Sequence, residues 1–364
     1  MPLIELTGEA SYEAEVDQCV GVTGYHRWFF LTALAEAFGM RMRAFAVDAD
    51  GERLGVVPLL FRRRGPVSTA NFLPVMGTGP VLRAKALDAG RAVDLVRAVE
   101  PVLLRERAVV TKWSFAPGLE VNLNGLARHG FDIGAEDSYA VPGALSIDGY
   151  LKGLSHTYRR KIRGLERHGL HAEPSTRADI LDWLPPQISR VHRGQGIASD
   201  YSLPVARALM ERLVDHPRMR WCSVRNSEGQ LLALNACIID ENRLWGWQLA
   251  GEPVPGPSPH MAACWDGIQW ALSQGLGYDF GAATSEGNRN FKVWLGGELE
   301  HCATAERVRP RFYRTGRDAY ARLASRRARR AEGKAASGTA DKALQERVGE
   351  PHERTHRDHD ERRT

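Results

Sequence analysis

At 364 residues the chain is longer than one hydrophobic core usually serves, so two domains are the starting expectation. It is 43% hydrophobic and 26% charged, and no stretch approaches the roughly 20 apolar residues of a membrane span, so an integral membrane helix is excluded. The five cysteines form no CxxC pair, which points away from a zinc site or disulfide framework and toward reduced, mostly buried thiols in a cytoplasmic protein.

The N-terminal MPLIELTGEASYEAEVDQCVG is acidic and lacks the basic-then-apolar order of a signal peptide. From Met42 to Phe61, two β-prone runs flank an Asp/Gly turn, which predicts a hairpin. TANFLPVMG follows, then a helical stretch over Asp88–Arg107, and VVTKWSFAP reads as a strand. Between Leu151 and Arg167, Leu151, Leu154, Tyr158, Ile162 and Leu165 share one face of a predicted helix, with Asp148 as its N-cap and Gly169 as its stop. Its other faces carry Lys152, His156, Arg159, Arg160, Arg163 and Arg167, a nearly single-sign surface that is either simply solvated or faces an anion.

Met219–Ile239 then repeats the hairpin, and RLWGWQLAG, a helix over His260–Gln274 and the strand GYDFGA repeat the order seen after the first. Such recurrence predicts a duplicated α/β unit. Met261, Trp265, Ile268 and Leu272 make the buried stripe of the second helix, and the Gly/Pro-rich AGEPVPGPSPH feeds its N-terminus. That place either receives an anion on free backbone N–H groups or is a plain connection. After GYDFGA comes NFKVWLGGE, with one lysine, Lys292, between Phe291 and Trp294 and two glycines. No GxxxxGK[ST] pattern is present, so this is no nucleotide P-loop. The residues after Arg307 are dominated by arginine as far as Arg330, either a frayed phosphate-attracted helix or a solvated extension. Beyond Lys334 the composition is that of a disordered tail.

Taken together, YRRKIRGLERHG, the second hairpin, the Gly/Pro-rich loop with its helix, YDFGA and NFKVWLGGE resemble the Fem-type branch of the GNAT acyltransferase superfamily, most strongly over Leu151–Arg307. The resemblance implies an α/β chain of two tandem GNAT-like domains with mixed sheets flanked by helices, placed at 1–147 and 148–315, with a cleft between them and a basic, largely disordered tail at 316–364. It implies acyl transfer to an amine or hydroxyl of a small-molecule or cell-wall-precursor acceptor. The donor would be an aminoacyl-tRNA, or an acyl-CoA on the same fold, as co-substrate with no tightly bound cofactor and no metal. The family's Phe-Lys pair matches Phe291 and Lys292, the lysine stabilising charge during transfer. The family's long helical tRNA-binding arm has no obvious counterpart here, and no R/Q-x-x-G-x-G/A pyrophosphate loop of the acyl-CoA enzymes precedes the helix at His260.

The chemistry itself asks for a cation near the developing oxyanion and a base for the attacking amine. Lys292 is the candidate for the first, unless its stem merely packs on Trp294. Asp279 either takes a proton or caps the turn after its strand. Tyr278, Asn290, Phe291 and Trp294, with Tyr158, Arg159, Lys161 and Arg163 of the basic helix, complete the expected substrate contacts. A non-catalytic nucleic-acid-binding protein using the arginine-rich segment is the reading from another class.

Overall fold

The computed structural model describes residues 1–71, 78–194, 201–252, 254, 258–283 and 285–309. The basic tail expected at 316–364 lies outside them. In chain order the strands are β1 (Leu3–Glu5), β2 (Arg41–Ala49), β3 (Glu52–Arg64), β4 (Val67–Ala70), β5 (Val81–Leu82), β6 (Ala108–Ser114), β7 (Asp132–Val141), β8 (His171–Pro174), β9 (Met219–Arg225), β10 (Leu231–Ile239), β11 (Arg243–Gly251), β12 (Gly277–Ala282) and β13 (Glu298–Val308). The helices are α1 (Glu9–Val16), α2 (Trp28–Ala37), α3 (Ala84–Asp88), α4 (Ala92–Ala98), α5 (Glu100–Arg105), α6 (Asn124–Arg128), α7 (Ile147–Gly153), α8 (His156–Gly164), α9 (Leu184–Gly194), α10 (Leu203–Leu213), α11 (Pro259–Ser273) and α12 (Glu286–Trp294).

Both predicted hairpins are present. In the first, Asp50 and Gly51 take left-handed backbone at φ 55° and 79°, the turn that matches strand twist. In the second, the Asn226 side chain accepts N–H bonds from Glu228 and Gln230 and closes the turn between β9 and β10. The two helical stretches read as single helices are broken. Gly90 at φ 67° and Pro101 at the start of α5 divide Asp88–Arg107, because proline lacks the N–H and its ring clashes with the preceding turn. Leu151–Arg167 divides at Leu154, whose extended backbone lets the Ser155 hydroxyl cap α8 by accepting from the Tyr158 N–H. Ser146, rather than Asp148, caps α7.

The strands form one mixed sheet of order β1-β2-β3-β4-β6-β13-β7-β12-β11-β10-β9-β8, with β5 beside β3. Read inward from its two edges, the order mirrors itself. From one edge β1, β2, β3 and β4 pair antiparallel and β4 meets β6 in parallel. From the other, β8, β9, β10 and β11 pair antiparallel and β11 meets β12 in parallel. The duplicated order is therefore tandem, but the closing strands are exchanged. β7, which ends the first half of the chain, pairs with β12, and β13, which ends the second, pairs with β6. β7 and β13 lie together at the centre over Glu298–Glu306 and Asp132–Ala140. The expected boundary at 147/148 thus falls within a single compact unit, Met1–Pro310.

Packing fastens the halves further. One buried cluster joins Phe30, Leu31 and Leu34 of α2 to Leu209, Met210 and Leu213 of α10 and to Ile238, Trp245 and Trp247. Beside it the buried Arg27 guanidinium binds Asp240 at 2.9 Å through Nε and at 2.6 Å through an Nη, with Glu13 also in reach at 2.8 Å. A buried charge must keep such partners, since losing one costs about 3–5 kcal/mol. The first arginine of the basic run is likewise used by the fold. Arg307 is buried, pairs with Glu100 at 3.1 Å and lies 4.4 Å over the Phe131 ring. All five cysteines are free, and all but Cys19 are buried.

Candidate active site

The parallel pairing of β11 with β12 covers only Arg243–Trp245 and Gly277–Asp279. Beyond that point β11 runs on to Gly251 with β10 as its hydrogen-bonding neighbour. β12 turns away through a bulge: on the β7 side, Asp279 and Ala282 face Ala140 and Ser138, so two β12 residues oppose one of β7. Gly281 sits in that bulge at φ 71°, a conformation that suits glycine. The separation of the strands opens a cleft of about 640 Å³.

Gly246 to Leu249 of β11 form one wall of the cleft, and Tyr278, Phe280, Gly281 and Ala282 of β12 face them. α11 adds His260 and Cys264, α12 adds Asn288, Phe291 and Lys292, and Asn235 of β10 and Tyr25 close the inner end. The cleft therefore opens inside the second half, with Tyr25 supplied by the first, instead of lying between two separate domains. The Tyr25 hydroxyl donates to the Gly246 carbonyl at 3.0 Å, at the place where the strands part.

Lys292 is the charged centre of this cleft. Ser285 caps α12 through its hydroxyl, which accepts the Asn288 N–H at 3.2 Å, and the helix then delivers Lys292 inward. The side chain is 4% exposed. Its ammonium donates to the carbonyls of Gly281 at 2.7 Å and Ala282 at 2.5 Å, the two that the bulge turns toward it. An ammonium has three N–H groups, so one remains for an atom in the cleft. Burial lowers its pKa to about 8, with Asp279 acting in the opposite direction. At neutral pH it is a desolvated cation, the form that stabilises a nearby oxyanion most strongly.

Asp279 is buried on the other side of β12 from Tyr278 and Phe280 and does not line the cleft. One oxygen accepts the Gly281 N–H at 2.6 Å and the other accepts the Ser138 hydroxyl at 3.2 Å. Arg243 stands 3.5 Å away and is itself held by Glu300 at 2.6 and 2.9 Å. Burial raises the Asp279 pKa to about 6 against the pull of Arg243.

The other expected contacts divide into two groups. Tyr278 and Phe291 line the cleft with Lys292, whereas Asn290 is half-buried and outside its lining. The Tyr278 hydroxyl accepts from Asn235 Nδ2 at 3.1 Å. Trp294 leaves the cleft altogether. It is 50% exposed and stacks on Tyr158 of α8, ring centroids 5.4 Å apart, with the Lys161 ammonium 4.7 Å over the same tyrosine. Arg159 donates to the carbonyls of Lys152 and Leu154, so it ties the α7–α8 junction. Arg163 borders a smaller cavity of about 360 Å³ with Glu166, His171, Trp265 and Asp266. The basic helix therefore stands beside the cleft and connects to it through α12.

Asn235, His260, Cys264, Asn288 and Tyr25 line the cleft without having been singled out in the sequence. Asn235 carried a readable signal, a lone amide within LLALNACII. His260 carried none beyond its place at a helix start; burial lowers its pKa, with Arg190 adding to the effect. Among the described residues no group of three or more His, Cys, Asp or Glu could hold a metal ion, and no helix is long and apolar enough to cross a membrane.

Comparison with known proteins agrees with this geometry. Residues 153–293, which include Lys292 and the cleft lining apart from Tyr25, match the family model described as an acetyltransferase (GNAT) domain. Among solved structures, FemX is similar at 14% identity with a TM-score of 0.67, over 85% of this chain and 97% of that one. A conserved protein of unknown function from Bacteroides thetaiotaomicron VPI-5482 is similar at 11% identity with a TM-score of 0.54, over 84% and 98% of the two chains. No curated protein matches the chain by sequence. Residues 153–293 are thus similar to acetyltransferases of the GNAT type. Over most of its length the chain has the fold of FemX.

Proposed function

We propose that the chain moves an aminoacyl group from aminoacyl-tRNA onto an amine or hydroxyl of a small-molecule or cell-wall-precursor acceptor, in the cleft between β11 and β12. The observation that carries this reading is the buried Lys292 ammonium, held by two carbonyls of a strand bulge with one N–H left for the cleft. An isolated buried ammonium costs several kcal/mol, so a fold retains one where its charge is used. When the acceptor amine attacks the ester carbonyl, a C–N bond forms and the carbonyl oxygen becomes an oxyanion that Lys292 stabilises. Collapse of that adduct breaks the ester C–O bond, and the ribose hydroxyl leaves with the proton the amine gives up. Asp279 acts through Gly281 and not on the substrate, since it does not reach the cleft lining. Phe291 and Tyr278 bound the space in which the acyl group lies. Support for an RNA-borne donor comes from α12, a single helix that carries Lys292 into the cleft and Trp294 out onto the basic α8.

A second reading, transfer from an acyl-CoA, has its own observation. The N-terminus of the 15-residue α11 reaches the cleft wall at Ser258 and His260, where backbone N–H groups suit a pyrophosphate. The lack of the usual pyrophosphate-loop sequence before it makes this the runner-up. Purified protein given mixed aminoacyl-tRNAs or acetyl-CoA, each with a panel of amines, distinguishes the two by mass spectrometry of the products. Transfer from aminoacyl-tRNA alone is expected. Transfer from acetyl-CoA alone selects the second reading, and transfer from neither overturns both.

A further inference from the structure

The bulge that presents two carbonyls to Lys292 has to be held open, because a plain β12 would direct those carbonyls to its neighbouring strand. We propose that Asp279 is the positioning residue of the cleft: it locks the Phe280–Gly281 bulge and supplies the buried negative charge that keeps Lys292 protonated. This rests on the reading of Lys292 as the oxyanion-stabilising group.

The geometry joins four strands in one device. The Asp279 carboxylate on β12 takes the Gly281 N–H at 2.6 Å, which fixes Gly281 at φ 71° and leaves its carbonyl for Lys292. Ser138 on β7 holds the second carboxylate oxygen at 3.2 Å. Arg243 on β11 stands 3.5 Å away and is anchored by Glu300 on β13. Both exchanged strands therefore touch the device, β7 through Ser138 and β13 through Glu300. A carboxylate that merely capped a turn would not need a half-buried arginine and its counter-ion behind it.

The charges bearing on the pair come from every packed element. Lys292 feels Asp279 and the neutral Cys264 thiol of α11, whose pKa burial raises to about 12. Asp279 feels Arg243, Gly281, Lys292 and Glu300. Cys302 on β13 also lies within the field of Asp279, and burial pushes its thiol upward so that it stays neutral. The negative charge of Asp279 raises the Lys292 pKa against burial, so protonating or removing that carboxylate lets the ammonium go at lower pH.

Lys292 can be watched directly in protein labelled with ¹³C-lysine, its signal assigned by its loss in Lys292→Met. Asp279→Asn keeps an acceptor for the Gly281 N–H and removes the charge. The expected result is a Lys292 titration midpoint moved down by roughly one unit, with melting close to that of the wild type. Ser138→Ala should move the smaller, acid-side step that Asp279 imprints on the Lys292 signal to higher pH. A well-folded Asp279→Asn with an unmoved Lys292 midpoint overturns the proposal. If that variant does not fold, an acid-side step that is absent or unmoved in Ser138→Ala overturns it. The measurement needs no substrate, so it can fail while acyl transfer stands, and it can succeed with a different donor.

Discussion

The two halves of the sheet share strand order and direction, yet the parallel strands part into a cleft in the second, whereas in the first the described residues close against one another. In the second half β11 has nine residues and outlasts its parallel pairing with β12. In the first, β4 has four residues and is paired with β6 to its end at Ala70. Further along β6, the Gly79 backbone closes against the sheet, its N–H donating to Ser114 at 2.8 Å. The neutral His26, whose pKa burial lowers to about 4, clamps the same segment through the Gly79 carbonyl at 3.0 Å. A shared topology thus offers the same gap twice, and local backbone chemistry decides whether it becomes a site or part of the core.

The sharpest way to break that contrast is Lys292→Met, which keeps the aliphatic stem and removes the charge. If the open half is the chemical one, turnover should fall roughly a hundredfold or more, with circular dichroism and melting little changed, as for the loss of one oxyanion-stabilising group. Activity within a few-fold of the wild type means that the charge is unused.

Glycine substitutions compare the two gaps directly. A Cβ at Gly246 would lie 2.6 Å from the Asp279 carbonyl, and one at Gly79 would lie 2.6 Å from the Ser114 carbonyl. Both contacts are with backbone, so each Ala variant should lose about 1–3 kcal/mol in denaturant titrations. Only Gly246→Ala should also lower the turnover of the folded fraction, by about tenfold. Equal losses at both positions would show that the closed half takes part in the reaction.

The pH profile offers a smaller test. Lys292 is lowered from 10.5 to about 8, so its cation is present below that pH and is lost as the pH rises through it. Transfer should therefore decline above about pH 8, and the decline should be absent from the residual activity of Lys292→Met. Stability has the opposite sign. Between about 8 and the ordinary lysine value the unfolded chain holds a proton that the folded chain has released, so stability from this group rises with pH.

The smallest effect concerns the basic helix. Lys161 and Arg163 are exposed, and exchanging both for alanine should weaken donor binding severalfold and reduce its salt dependence. Arg159 is the wrong residue for that purpose, because its bonds to the Lys152 and Leu154 carbonyls make its loss a structural change. An unchanged salt slope would leave α8 as a solvated face.

Much of this was legible in the chain. Alternating apolar residues around Asp-Gly and Asn-Ser-Glu-Gly turns specify both hairpins, because strand period and turn chemistry are local properties. Lys292, Phe291 and Tyr278 stand out in a short aromatic and glycine-rich stretch, and the cleft brings these three together. Helix breaks were less legible at Leu154, where an apolar face continues in phase across a capping serine and only backbone angles mark the end. Trp294 reads as part of the lysine motif, but about 3.6 residues to the turn place it on the outer face of α12, two residues from Lys292.

The sequence by itself determined the elements, their repetition and the identity of the lysine, since each rests on neighbours within a few residues. Tertiary structure alone decided that β7 and β13 change places, that Asn235, His260 and Tyr25 join the cleft, and that Asp279 lies behind the site. Those outcomes depend on pairings between residues far apart in the chain. Ser138 meets Asp279 across 141 positions and Tyr25 meets Gly246 across 221, separations over which no local pattern carries information.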